Sequence, residues 1–157
     1  RQREQALQEI ADLKNKKKVA EAAVEELKKF EVNTSRLYKR EDGFMTKPII
    51  EMSVTNNTGH AISRAYFEGV VASPGRSVPW IEETFNYSIP GGLEPGESAD
   101  WSLAPNQFSA WGTEVPKDAI LTLIPYKLEG PDFDASTAAF SERDQERLET
   151  LQKTYVD

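Results

Sequence analysis

From Phe30 to Leu128 apolar and polar side chains alternate, and Gly, Pro or Asn breaks the alternation at intervals of roughly 8–15 residues. A period of two puts successive side chains on opposite faces of an extended strand. In PIIEMSVTN (48–56), Ile50, Met52 and Val54 share one face, and Glu51, Ser53 and Thr55 share the other. FEVNTSRLYKRE (30–41) precedes it, with Val32, Leu37 and Tyr38 half-buried and Asp42-Gly43 marking a hairpin turn. AISRAYFEGVVAS (61–73) follows a loop at Asn56-Asn57-Thr58-Gly59. There Ala65, Phe67 and Val71 are in phase, and Ile62 is out of phase, which requires a bulge. Phe85, Tyr87 and Ile89 predict a strand over about 83–89. AILTLIPYKL (119–128) reads as the last clear strand of six or seven, apolar on both faces and hence interior. Pro125 cannot donate to a ladder and implies a bulge there.

The stretch GGLEPGESADWSL (91–103) carries the chain from one sheet to the other. Pro90-Gly91-Gly92 ends a strand, and Leu93 dips back into the core as a plug. Glu94-Pro95-Gly96-Glu97 forms a tight turn, in which Pro fixes φ and Gly accepts the left-handed conformation. Ala99, Trp101 and Leu103 then point inward, while Ser98, Asp100 and Ser102 point out. NQFSAWG (106–112) is a loop or a single helical turn.

Residues 2–29 contain neither Gly nor Pro and are rich in Ala, Glu, Lys, Gln and Leu, which predicts one long helix. Ala6, Ile10, Leu13, Lys17, Ala20, Val24 and Leu27 follow heptad spacing. Two readings of this seam stand side by side: a helix that lies against or extends from the body as a spacer, and a helix that pairs with a second copy as a homodimer. At the other end Ser141 and Asp144 form a capping box. It opens a helix over about 142–154 with Leu148, Leu151 and Tyr155 on one stripe. The fold class is therefore mainly β: an Ig-like antiparallel sandwich over 30–140, with a long N-terminal helix over 1–29 and a short C-terminal helix over 141–157.

Formal net charge is -7. Residues 1–30 carry +2 and the rest -9, so clustered cations for nucleic acid are missing. Lys16-Lys17-Lys18 has acids one turn away on each side and reads as a solvated helix face. No cysteine occurs, which excludes disulfides and thiolate metal sites. No nucleophile elbow, phosphate loop, Ca²⁺ loop or cofactor motif is present. The single His60 reads as a surface turn residue. Glu82-Glu83 read as a solvated strand edge. No catalytic residue, metal site or cofactor is expected.

Aromatics are the best candidates for recognition, because they bury much area at little entropic cost. Trp101 is in strand phase and reads as core. Trp80, beside Arg76, and Trp111, beside Phe108, lie outside clear alternation. Each is read either as a loop plug or as a contact for a partner. A small-ligand site built from Trp80, Arg76, Glu82 and Glu83 would need a concave pocket with convergent polar groups.

IIEMSVTNNTGHAISRAYFEGVVASPGRSVPW and IPGGLEPGESADWSL carry a resemblance. The shared marks are the turn Asn57 to Gly59, the aromatic strand at Tyr66-Phe67, the Ser73 to Arg76 turn, the Gly91 to Glu97 turn and the strand bearing Trp101. Over residues 30–129, with a similar helical start, the sequence resembles a bacterial domain family of unknown function found in small secreted lipoproteins. The resemblance implies an exported, lipid-anchored protein of the cell envelope and brings no binding or catalytic residues with it. The opening at Arg1-Gln2-Arg3, already helical in composition, fits a piece of a longer chain with an export signal and lipid-attachment cysteine upstream. The expected function is a non-enzymatic envelope module with an unknown protein partner, touching membrane only through that anchor.

Overall fold

With nothing to interrupt it, Gln2–Leu27 winds into one helix, α1. In a computed structural model that describes residues 1–156, seven strands follow: β1 (Phe30–Asp42), β2 (Met45–Asn56), β3 (Ile62–Ala72), β4 (Ile81–Leu93), β5 (Ser98–Leu103), β6 (Ile120–Glu129) and β7 (Asp134–Ser136). A 3-10 turn, Ala110–Gly112, lies between β5 and β6, and α2 (Glu142–Tyr155) closes the chain. The sheet β1-β2-β5 packs on the sheet β4-β3-β6-β7, and every pairing is antiparallel. The protein is a mainly β, Ig-like sandwich. In the constant-type immunoglobulin arrangement the fourth strand joins the first sheet. Here β4 pairs with β3 instead, which leaves the first sheet three strands wide and ending at β5.

Alternation becomes burial where it is strict. Ile50, Met52 and Val54 are buried, and so are Ala65, Phe67 and Val71. Leu93 and Trp101 are 4% and 8% exposed, both inside the interlayer space, and Trp101 meets Tyr87 at 4.7 Å between ring centroids. Each large apolar side chain so buried contributes roughly 1.5–3 kcal/mol. Gly96 (φ +86°) makes the turn into β5, closed by Glu97 N–H donating to the Glu94 carbonyl at 3.0 Å.

Two strand expectations are corrected. β4 runs from Ile81 to Leu93, well beyond 83–89. The Pro90-Gly91-Gly92 break loops out between the pairs Arg64–Ser88 and Ile62–Leu93, and the ladder resumes. β6 is not buried on both faces: Leu121 and Leu123 face the core, while Ile120 and Ile124 stand 62% and 54% exposed on the outer face. A short seventh strand, β7, pairs with β6 at Lys127–Glu129. The bulges at Ile62 and Pro125 are present.

The two helices have a small core of their own. The capping box at Ser141 and Asp144 starts α2 and lays Leu148 and Leu151 on Ala6 and Ile10 of α1, with Leu13, Phe140 and Tyr155 at the margin. Arg147 grips Glu9 through two hydrogen bonds (2.7 and 3.0 Å), and Lys16 reaches Asp144 at 2.9 Å. Further along α1, Ala23 and Leu27 join the sandwich core beside Phe30. The seam is thus covered within the chain, over residues 6–13 by α2 and over 23–27 by the sandwich. A second copy reaches Ala6, Ile10 and Leu13 only by displacing α2.

A polar knot ties α1 and both sheets together. Asn56, wholly buried, donates its two amide hydrogens to the carbonyls of His60 and Leu93, each at 2.9 Å. Its Oδ1 accepts from the Thr58 N–H (3.0 Å) and the Thr58 hydroxyl (2.6 Å). Asn57 N–H donates to the Lys29 carbonyl and Gly59 N–H to Glu26 of α1. Among the described residues every buried side-chain nitrogen and oxygen has a partner.

Two outcomes are expected. Asn56→Leu strands buried partners, at about 1–3 kcal/mol each. Urea unfolding should show a loss of about 3 kcal/mol or more, against a change within about 0.5 kcal/mol for exposed Asn57→Ala. The second concerns acid. The Arg147 guanidinium holds the Glu9 carboxyl below the usual range, and Lys16 followed by the Ser141 N–H does the same for Asp144. The Gly59 N–H, then Lys29, depresses Glu26. A depressed folded value gives stability that is complete above the ordinary carboxylate range, ~4, and fades as pH falls through the folded value. Amide protection factors, the observed rates referred to the intrinsic rate at each pH, should therefore fall at Leu148 and Leu151 on acidification before they fall at Val54 and Leu128.

Candidate functional site

The loop between β3 and β4 closes on itself. Its backbone returns through Trp80 N–H to the Val71 carbonyl at 2.7 Å. The Trp80 indole N–H donates to Ser73 Oγ (2.8 Å), and Ser73 donates in turn to Asp118 (2.8 Å). Arg76 lies flat over the Trp80 ring, 3.6 Å from guanidinium carbon to ring centroid, while its Nε–H donates to the Val78 carbonyl at 3.0 Å. With Arg76 exposed, a cation–π pair of this kind contributes about 0.5–1 kcal/mol. Trp80 is half-buried against the core, and its free face is already taken. Glu82 and Glu83 are neighbours on β4, so they point to opposite faces and do not converge with Trp80. The proposed small-ligand constellation therefore fails: the loop uses Trp80 and Arg76 to hold itself.

Trp111 takes the plug alternative rather than the contact one. It is 3% exposed, edge-on to Phe85 at 5.7 Å, with its ring pressed against Gly69. A side chain at position 69 would overlap the indole, so the absence of a Cβ there makes the seat. Phe108 is the opposite case. It is 85% exposed and sits on a turn tied by its own N–H to Asn106 Oδ1 (2.9 Å) and by Ser109 N–H to the Asn106 carbonyl (3.0 Å). Of the four recognition candidates, Phe108 alone presents an unengaged aromatic surface. His60 is not a free turn residue, since its ring stacks on Phe133 at 4.2 Å. Among the described residues no group of three His, Cys, Asp or Glu side chains gathers for a metal, and no helix is long and apolar enough to cross a membrane.

One exposed pair escaped the sequence reading. β1 and β2 meet through the two-residue turn Gly43-Phe44, which leaves Phe44 fully exposed and Met45 47% exposed. The signal was present in an Asp-Gly turn followed directly by two large apolar residues. The β1–β2 tip, the 73–80 loop and the 104–119 segment lie at the same end of the antiparallel sandwich, away from the entry of α1. Phe44, Met45, Val78, Phe108 and Ile120 are exposed apolar residues at that end.

No family model matches the chain, and no curated protein matches it significantly. A hypothetical protein from Peptoclostridium difficile 630, known from an X-ray structure, is similar in fold at a TM-score of 0.47 and 10% sequence identity, over 81% of this chain and 91% of that one.

Gly69→Ala should push Trp111 off its seat. The expected result is a red-shifted tryptophan emission and a loss of about 1–3 kcal/mol in urea unfolding. Gly59→Ala, where a Cβ meets only Glu26 at an ordinary 3.5 Å, should stay within about 0.5 kcal/mol of the parent.

Proposed function

We propose that this chain is a non-catalytic module of the bacterial cell envelope, lipid-anchored upstream of α1, that holds a polypeptide partner. The resemblance over residues 30–129 supports the location. The observation that carries the binding role is Phe108. An exposed aromatic on a hydrogen-bonded turn loses little freedom on docking, so most of its burial becomes affinity. Trp111 in the core fixes that turn from behind, its backbone N–H donating to Ser109 Oγ at 3.3 Å.

The test replaces Phe108 with a benzophenone amino acid in the full-length protein expressed in its own cells. Cross-linking should yield one defined adduct from the membrane fraction. The same residue at exposed Asp12 of α1 should yield none. Phe108→Ala should leave the melting temperature unchanged within about 1 °C and weaken capture of that partner about tenfold or more. Recovery of the protein from the cytosol, or equal cross-linking at positions 12 and 108, overturns the reading.

A further inference from the structure

The sandwich is closed on one side and open on the other. On the closed side β1 lies against β6, with Ser35 Oγ donating to the Leu121 carbonyl at 3.1 Å, and α1 packs on β7. On the open side β4 and β5 are both terminal strands. Between them is a cleft of about 350 Å³ lined by Ile50, Phe85, Tyr87, Leu103 and Pro105.

The two open edges are not equivalent. β4 carries the features that discourage pairing: Glu82, Glu83, Pro90 and the looped-out Gly91-Gly92. β5 carries no Lys, no Pro and no bulge in its pairing with β2. Alternate residues of a terminal antiparallel strand aim N–H and C=O outward, away from the sheet. An unblunted edge beside an apolar cleft suits an added strand, whose backbone bonds to the edge while alternate side chains enter the cleft.

Charge selects the strand. Residues 77–116 form β4, β5 and their connections, and they hold six acids with no Lys, Arg or His. On the outward row of β5 stands Asp100, flanked by Ser98 and Ser102. A cross-strand neighbour on that row is favoured when it is cationic and opposed when it is anionic.

We infer that the β5 edge takes up an extended polypeptide segment in which apolar and cationic residues alternate. The apolar row fills the cleft, and the cationic row lies beside Asp100. This rests on the proposed role as a holder of polypeptide and names the surface and chemistry of one such contact.

The probes are two acetylated octapeptides, one alternating Val and Lys and one alternating Val and Glu, titrated into the ¹⁵N-labelled protein. The Val-Lys peptide should slow amide exchange within Ser98–Leu103 and bind about tenfold or more tighter than Val-Glu at low salt, the gap narrowing as salt is raised. Asp100→Lys should weaken Val-Lys binding several-fold without moving the melting temperature. Equal affinities, protection confined to another surface, or no binding overturns the inference. So does a concentration-dependent dimer of the free protein with β5 already protected, which makes a second copy the occupant. Fractionation and cross-linking at position 108 read other atoms, so their success beside a failed titration removes this inference alone.

Discussion

One buried carboxamide holds the end of the sandwich where most of the chain's connections meet. Asn56 ends β2, and its side chain bonds to the carbonyl of Leu93, which ends β4, and of His60, which leads into β3. Its backbone N–H donates to the Glu97 carbonyl, and its own carbonyl accepts from Gly96, so the turn into β5 is fastened at the same point. Two of the three crossings between the sheets, 57–61 and 94–97, therefore pass a single residue. A buried amide with all its bonds made contributes modestly, but any displacement leaves a buried donor or acceptor without a partner. That asymmetry makes the knot a register device. It fixes where β2 and β5 lie relative to β3 and β4, and hence which side chains of the two inner faces, Trp101 and Tyr87 among them, come into contact.

The segment between β5 and β6 shows how a long connection is made rigid without becoming a strand. Trp111 enters the core at Gly69 and acts as its anchor, and the Asn106–Ser109 turn is tied to it by Ser109. The same few residues hide one aromatic and display another. A loop with only backbone contacts would let Phe108 wander, and the entropy of ordering it would oppose any docking. Here the core burial of Trp111 has already ordered the turn.

How much of this was legible in the sequence depends on how far each cause lies from its effect. Strands with one buried face, such as 48–56 and 98–103, were readable because alternation is local. The capping box of α2 was readable for the same reason. β7 was not, since three residues hold too little alternation to stand out from the turns around them. β4 was cut short because Pro90-Gly91-Gly92 looks like a terminator, and only the matching bulge of β3 at Ile62 shows that the ladder continues. The burial of Trp111 depends on a glycine distant in sequence, whose meaning is visible only once the two meet. The seam of α1 showed that a face was to be covered without showing by what. The covering stripe, Leu148 and Leu151, lay in the same chain, and an intramolecular partner has an effective concentration that a second copy rarely matches.

The distribution of charge bears on the weak point of any open sandwich, its unpaired edges. Proteins commonly protect such an edge with lysine, proline or a bulge, and β4 uses two of these together with a pair of glutamates. β5 uses none, and its neighbourhood has instead been cleared of every positive charge from residue 77 to residue 116. Antiparallel pairing of two β5 edges from separate copies brings two rows of Ser98, Asp100 and Ser102 together, each with one acid and no cation on the strand itself. Like charges facing each other across a strand pair are unfavourable. The edge is thus protected against its own kind by sign rather than by shape, and its backbone groups remain free. A lysine on β5 would also have prevented self-pairing, but it would have repelled cationic strands as well. The choice of acid leaves the edge selective, and it makes that selectivity sensitive to ionic strength in a way that a proline or a bulge is not.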